Sequence, residues 1–405
     1  MNKRNIGIII GIIIVCIGIV LLIIGRKANK EKIVLDNDFN INIIKTFNKL
    51  DGNKNYLISP YNIYLALNML RDGASGKTKD EIDKVLNNDK INNLLVKYKI
   101  GVANGVFIKD IYKNNVKKNY YDILKNKYNS DIIYDEFTSP DKINNWVSEK
   151  TYGMIPSILD RMDKNYVMGL ASALAIDVKW LDSFECIRTT SEEFTKINND
   201  KINVEMMHKS FDTDYFKYIN EEDIKGIILP YEKIDNNIDL EFIGLIPEDI
   251  NTYINSLTKD KLDKIIQSAK ASSDKIHVNL SIPRFSYDYD ANDFMDILKE
   301  LGIHEAFDPD LANFTKMIEI AENIYVGEAI HKTHIELNEV GTKAAAVTYF
   351  GMFKNSAMID QNYKEINITF NKPFIYLIRE KNTGEILFFG TVYEPNLWNS
   401  STCSK

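Results

Sequence analysis

Asn338-Glu339-Val340-Gly341-Thr342-Lys343-Ala344-Ala345-Ala346 opens a stretch unlike the rest of the chain. From Val340 to about Tyr363 no helical or strand period is sustained, and the segment runs on through Gly351, Phe353, Lys354, Asn355 and Ser356. A structureless loop of this length inside a compact domain is unusual and is commonly functional. Small residues crowd its first arm. Side chains alternate faces along a strand, so with Thr342 inward, Ala344, Ala346 and Thr348 also point inward, while Lys343, Ala345, Val347 and Tyr349 point out. An exposed alanine run is a poor binding surface but a good segment for entering a crowded space. Gly341 suits a hinge where the chain reverses direction.

Around this loop the chain reads as one mixed α+β domain. Ser59-Pro60 pairs an N-cap with proline at the first helical position, ahead of the apolar run that ends at Gly73. Thr78 and Glu81 have the spacing of a capping box, and Ser139-Pro140 repeats the cap-and-proline signal before Ile143, Trp146 and Val147. Strand-like apolar runs occupy 102–108 and 170–180 in the helical first half. In the second half they occupy 224–229, 240–246, 278–285, 368–378 and 386–392, interrupted by a helix over about 291–301. Helices mixed with long sheets predict an α+β class.

Of the 405 residues, Ile6 to Gly25 form a 20-residue run without charge or proline. Twenty helical residues span roughly 30 Å, the thickness of a bilayer core. Lys3 and Arg4 precede the run and Arg26 follows Gly25 directly, with no small-x-small cleavage motif, so an uncleaved signal anchor is favoured over a removed signal peptide. The expected organisation is a flank over 1–5, a transmembrane anchor over 6–25, a linker over 26–36, the domain over 37–397 and a tail over 398–405. The expected location is membrane-anchored with the domain extracellular, or, as the alternative, secreted after cleavage. A net charge of -7 argues against a nucleic-acid partner. Cys16, Cys186 and Cys403 make neither a disulfide framework nor a zinc pattern.

The search for catalytic chemistry predicts no enzyme and no cofactor. His331 and His334 form an HxxH pair, but three residues apart on a strand they face opposite sides, so no metal is expected. There is no GxSxG elbow, no P-loop and no GxGxxG after a strand.

In this order and spacing, several short motifs resemble the serpin family. They are Leu57-Ile58-Ser59-Pro60-Tyr61-Asn62-Ile63, Gly73-Ala74-Ser75-Gly76-Lys77-Thr78, Ala103-Asn104-Gly105-Val106-Phe107 and Ile143-Asn144-Asn145-Trp146-Val147. Trp180 with Phe184, Pro283-Arg284-Phe285, His331-Lys332, the 338–346 stretch, Pro373-Phe374, Gly390 and Pro395 complete the pattern. The resemblance covers nearly all of 37–397. It implies helices around a large central sheet with two smaller sheets and a long exposed reactive-centre loop, about 340–363. The implied activity is suicide inhibition of a serine or cysteine protease: the loop is cleaved, an acyl-enzyme forms, and the freed arm inserts into the main sheet. A non-inhibitory binding or structural member is the alternative. The implied partner is the target protease, with no clear heparin site between Lys90 and Lys99, and a monomer is expected. The isoleucine, lysine and asparagine bias and the wording Ala173-Leu174-Ala175-Ile176-Asp177 look like a bacterial-type member.

The resemblance also implies residue roles. Glu339, Gly341, Thr342, Ala344, Ala345, Ala346 and Thr348 are the hinge and inserting arm. Counting 16 positions from Glu339 gives a scissile bond after Asn355, before Ser356; a loop one residue shorter breaks after Lys354, and Phe353 and Met358 are further candidates. Lys354 suits a trypsin-like protease, Asn355 an asparaginyl one and Phe353 a chymotrypsin-like one. Glu339 and Arg284 resemble the ion pair at the top of the sheet where insertion begins. Ser59 and His331 resemble the polar cluster beneath the opening strands. Two positions depart: Ser172 stands where the family usually has Asn, and Asn62 where it usually has Ser.

Overall fold

The computed structural model describes residues 38–87, 102–211, 215–234, 238–273, 275–291, 294–342 and 363–395. The described elements begin with α1 (Phe39–Asp51), β1 (Tyr56–Ile58), α2 (Pro60–Gly73), α3 (Gly76–Leu86), β2 (Val102–Lys109) and α4 (Lys118–Tyr128). Then come β3 (Asp131–Asp135), α5 (Asp141–Lys150), β4 (Met168–Leu174), β5 (Val178–Lys179), β6 (Thr190–Thr195) and β7 (Lys201–Phe211). β8 (Lys217–Asn220), β9 (Ile224–Pro230), β10 (Leu240–Pro247), α6 (Ile250–Asn255), α7 (Lys259–Gln267) and β11 (Lys270–Ala271) follow. The last elements are β12 (Ile276–Pro283), β13 (Phe285–Asp290), α8 (Phe294–Leu301), β14 (Lys332–Leu337), β15 (Gly341–Thr342), β16 (Lys364–Thr369), β17 (Phe374–Glu380) and β18 (Ile386–Val392).

Local chemistry explains most starts and some displacements. The Ser59 side chain accepts from the Asn62 N–H, and Pro60 opens α2; Asp38, Asp249 and Thr258 cap α1, α6 and α7 in the same way. The capping box at Thr78 and Glu81 does not form. α3 begins earlier, at Gly76, and the Thr78 hydroxyl accepts from the Asn313 N–H while Glu81 accepts from the His304 and Glu305 N–H groups. Tertiary partners more than 200 residues away in sequence have taken over the capping groups. Pro140, not Ser139, is the residue before α5. Two long apolar runs also divide. The run 170–180 is interrupted at Ala175-Ile176-Asp177, between β4 and β5, and 368–378 breaks around Lys372-Pro373 into strands of different sheets.

The architecture is α+β. A seven-stranded sheet has the order β1-β18-β17-β10-β9-β8-β11, and a four-stranded sheet the order β16-β12-β7-β6. The remaining strands form two ladders, β3-β2-β4 and β13-β14-β15-β5. Because β4 leads into β5, these two ladders share one strand track broken at 175–177. The main core joins α1, α2 and α8 to the inner strands. A satellite core lies under α5, where Trp146 meets Phe107 edge-on at 5.5 Å. A Cβ at Gly105 would stand 2.9 Å from the Trp146 ring, so glycine there lets α5 lie close on β2.

Cys186 is disulfide-bonded, a pairing the cysteine spacing did not indicate. Among the described residues no helix is long and apolar enough to cross a membrane. The run 6–25, the linker, the 398–405 tail and the 90–99 segment lie outside the described residues. So do Ala344, Ala345, Ala346, Thr348, Phe353, Lys354, Asn355, Ser356 and Met358.

Candidate functional site

The site is built where β14 ends and the loop begins. Asn338 makes the turn: its Oδ1 accepts from the Val340 N–H at 2.9 Å and the Gly341 N–H at 3.2 Å. Its own N–H donates to the Gly341 carbonyl at 3.0 Å. A side chain that satisfies backbone donors in this way closes a tight reversal. The chain returns as β15, which lies between two strands. Thr342 pairs with Leu337 of β14 on one side, and Gly341 and Thr342 pair with Lys179 and Val178 of β5 on the other. The first two residues of the arm are therefore already a strand of the sheet.

Gly341 is needed for closeness, not for the reversal. Its φ is not left-handed, but a Cβ there would fall 2.1 Å from the Val178 carbonyl oxygen and 2.7 Å from the Lys179 Cα. Thr342 faces inward and is 4% exposed. Its hydroxyl lies 2.5 Å from the Tyr231 hydroxyl, and the Tyr231 ring stacks on Trp180 at 4.6 Å. Burial pushes the Tyr231 phenol far above its usual pKa, so it stays a neutral hydroxyl. Trp180 donates its indole N–H to the Asn338 carbonyl at 2.9 Å and its backbone N–H to Val340 at 2.9 Å.

Glu339 is 1% exposed and Arg284 6%. Arg284 Nη1 stands 3.5 Å from Glu339 Oε1, and the Thr189 hydroxyl donates to the same oxygen at 2.7 Å. Arg284 also pairs with Glu205. The Glu339 carbonyl accepts from the Phe184 N–H at 2.8 Å. This is a buried ion pair rather than a surface one; removal of Arg284 strands the Glu339 carboxylate, whereas Arg284 keeps Glu205.

The second polar cluster sits lower, between β4 and the start of α2. The Ser59 N–H donates to His331 Nε2 at 3.2 Å. The imidazole is 5% exposed, lies against Phe47 and Phe294, and burial lowers its pKa to about 3. It is therefore a neutral acceptor at neutral pH. Asn62 and Ser172, the two departures from the family pattern, touch each other. Asn62 Nδ2 donates to the Ser172 carbonyl at 2.5 Å, and the Ser172 hydroxyl lies between the side-chain oxygens of Asn62 and Asn104, 2.8 Å from the latter. The exchange of residue types preserves a polar contact. His334 points away from His331 and pairs with Asp288 at 2.7 Å.

Below Thr342 the seam continues. β4 pairs with β2 along its length, from Val102↔Leu174 to Ile108↔Met168; on its other edge no ladder partner lies among the described residues. Thr342, the last residue of β15, lines a small pocket with Met154, Ile176, Ile335, Ile378 and Phe388. The geometry brings Glu339, Gly341, Thr342 and Arg284 into one place, and Ser59, Ser172 and His331 into the strands' lower end. Sequence reasoning did not assign roles to Asn338, Thr189 or Tyr231. Only Asn338 carried a local signal, an asparagine three residues before a glycine.

Comparison with known proteins agrees with this architecture. The profile of the family described as Serpin (serine protease inhibitor) matches residues 35–395. Human neuroserpin is 28% identical over 391 residues, covering 90% of this chain and 92% of that one. The leukocyte elastase inhibitor of Xenopus laevis is 27% identical over 384 residues, covering 88% and 97%. The native state of the thermophilic serpin tengpin aligns with a TM-score of 0.75 at 31% identity, over 90% of this chain and 95% of that one.

Proposed function

The chain belongs to the serpin family, and from that premise we propose that it inhibits serine-type endopeptidases, with cysteine-type as a further class, by a suicide mechanism. The observation that carries the reading is β15: Gly341 and Thr342 are already seated between β14 and β5, with Thr342 lining a pocket beside Ile176 and Ile335. Cleavage of the exposed loop forms an acyl-enzyme with the attacking serine or cysteine. The freed arm continues the strand that β15 has begun, with Thr342, Ala344, Ala346 and Thr348 inward, and carries the bound protease with it. The name of the Xenopus relative, an elastase inhibitor, supports the class of partner. The loop breaks after Lys354 or Asn355, which points to a trypsin-like or asparaginyl protease. Residues 6–25 anchor the domain at a membrane, facing outward, in a bacterial-type cell.

The test is a panel of trypsin-, chymotrypsin-, elastase-, papain- and legumain-like proteases followed by denaturing gels. A covalent complex with at least one protease is expected, and the mass of the released C-terminal fragment identifies the bond. Clean cleavage by every protease would overturn inhibition and leave a non-inhibitory member. Recovery of the intact chain from the soluble rather than the membrane fraction would overturn the anchor.

A further inference from the structure

We propose that Lys209 is a positioning residue for insertion: from β7 it fastens the segment 180–189 to the four-stranded sheet and so fixes the wall against which the arm enters. This role rests on the inhibition proposed above. The segment joins β5 to β6 and grips the hinge along its length. Trp180 donates its backbone N–H to the Val340 carbonyl and its indole N–H to the Asn338 carbonyl. The Phe184 N–H donates to the Glu339 carbonyl, and the Thr189 hydroxyl to the Glu339 carboxylate. Near its start the segment is itself held where the Leu181 N–H donates to the Pro230 carbonyl at 3.0 Å.

Lys209 reaches the middle of this segment from another sheet. It stands opposite Leu280 of β12, and alternation puts it on the same face of β7 as the buried Met207 and Phe211. Its side chain is 14% exposed. The ammonium lies 6.0 Å from the Phe184 ring centroid and 5.8 Å from that of Phe211, within cation–π range. It pairs with Asp182 at 2.5 Å and donates to the Ser183 carbonyl. An ammonium drawn this far out of water needs acceptors, and both of these belong to the segment that grips the hinge. The Asp182 side chain is 54% exposed, so solvent screens that end of the pair. The backbone carbonyl and the two rings give the contact its fixed geometry.

The consequence is kinetic. The arm extends β15 only if Glu339 and Val340 keep their place while the residues after Thr342 move. Meanwhile the acyl-enzyme is open to water, so trapping is a race between insertion and deacylation. A wall that yields slows the first and leaves the second alone. Lys209 sets the wall from a sheet that contains neither β14 nor β5, the two strands that receive the arm.

Lys209→Met, which keeps the stem and removes the ammonium, gives the test in the full-length chain. With a protease that the unsubstituted chain traps, the ratio of covalent complex to cleaved, released chain should fall about tenfold, which is about 1.4 kcal/mol in the insertion step. The loop should be cleaved at an unchanged rate, a split that general loosening of the fold would not produce. Asp182→Asn, at a half-exposed side chain, keeps the question open to measurement if Lys209→Met fails to fold; it should shift the ratio the same way by less. Without any protease, hydrogen exchange at the Phe184 amide should quicken about tenfold in Lys209→Met, while amides along β10 keep their rates. An unchanged ratio in the folded variants, or equal quickening at Phe184 and β10, would overturn the role of Lys209. An unsubstituted chain that traps no protease would instead overturn the inhibitory reading, and exchange at Phe184 would still show whether Lys209 holds the segment.

Discussion

The seven-stranded sheet and the ladder that holds the hinge are built of similar residues and differ in closure. In the first, β10 pairs with β17 from Leu240↔Glu380 to Leu245↔Ile375 and with β9 from Glu241↔Pro230 to Pro247↔Ile224, and every residue of β10 is buried. In the second, β15 meets β14 at Leu337↔Thr342 and β5 at two residues, while β4 is only half-buried over most of its length. Long paired strands bury both their backbone groups and their side chains. β15 is buried as well but pairs over only two residues, and β4 beside it has no second ladder partner among the described residues; an unpaired strand edge is a template for another strand. The difference locates where this molecule can change and where it cannot, since regions with few paired residues open at lower free energy.

The comparison breaks most severely with Thr342→Arg. A guanidinium would have to sit beside the buried Tyr231 hydroxyl, and an unpaired buried charge costs several kcal/mol. Complete loss of the covalent protease complex is expected, with cleavage of the loop retained; a variant that still traps protease would show that the inward seat of Thr342 is not part of insertion. Arg284→Ala follows. It leaves the buried Glu339 carboxylate with the Thr189 hydroxyl, and breaking a buried pair costs about 3–5 kcal/mol. Urea unfolding should read that loss, and a value under about 1 kcal/mol would place the pair with ordinary surface ones.

Gly341→Ala sharpens the comparison. The added methyl meets the Val178 carbonyl oxygen, and overpacking costs about 1–3 kcal/mol. Hydrogen exchange should quicken at the Trp180 N–H, which donates to Val340, while amides along β10 keep their rates. Equal quickening in both sheets would mean that the hinge is not an independent unit. The smallest effect is on pH dependence. Burial holds His331 at about pKa 3 against 6.5 for the unfolded side chain. Below 6.5 the unfolded chain takes up a proton that the fold refuses, so stability falls by about 1.4 kcal/mol per pH unit as pH drops towards 3. Between pH 6.5 and pH 5 that is about 2 kcal/mol. His331→Gln should flatten this slope, and an unchanged slope would assign it to other groups.

The legible parts of the fold were those with local causes. Ser59 followed by Pro60 opens α2 because capping needs only the next three residues. The Thr78–Glu81 signal had the same form and failed, because the 304–313 segment offers those side chains backbone donors of its own. The run 368–378 looked like one strand because hydropathy does not register which sheet a residue joins. At the site, the arm's small residues and the Glu339–Arg284 pairing were legible through motif order. Thr189 and Tyr231 were not, since nothing in their immediate sequence distinguishes them from other polar and aromatic residues.

By itself the sequence determined the family and the α+β class, which depend on neighbours within a few positions or on the order of motifs. Tertiary structure decided the rest. It placed Arg284 and Thr189 on Glu339, set Asn62 against Ser172, and gave Gly341 its reason in the closeness of β5. Those contacts join residues from 55 (Arg284 and Glu339) to 163 (Val178 and Gly341) positions apart, by subtraction of the residue numbers, and only the packing of the folded chain fixes such separations.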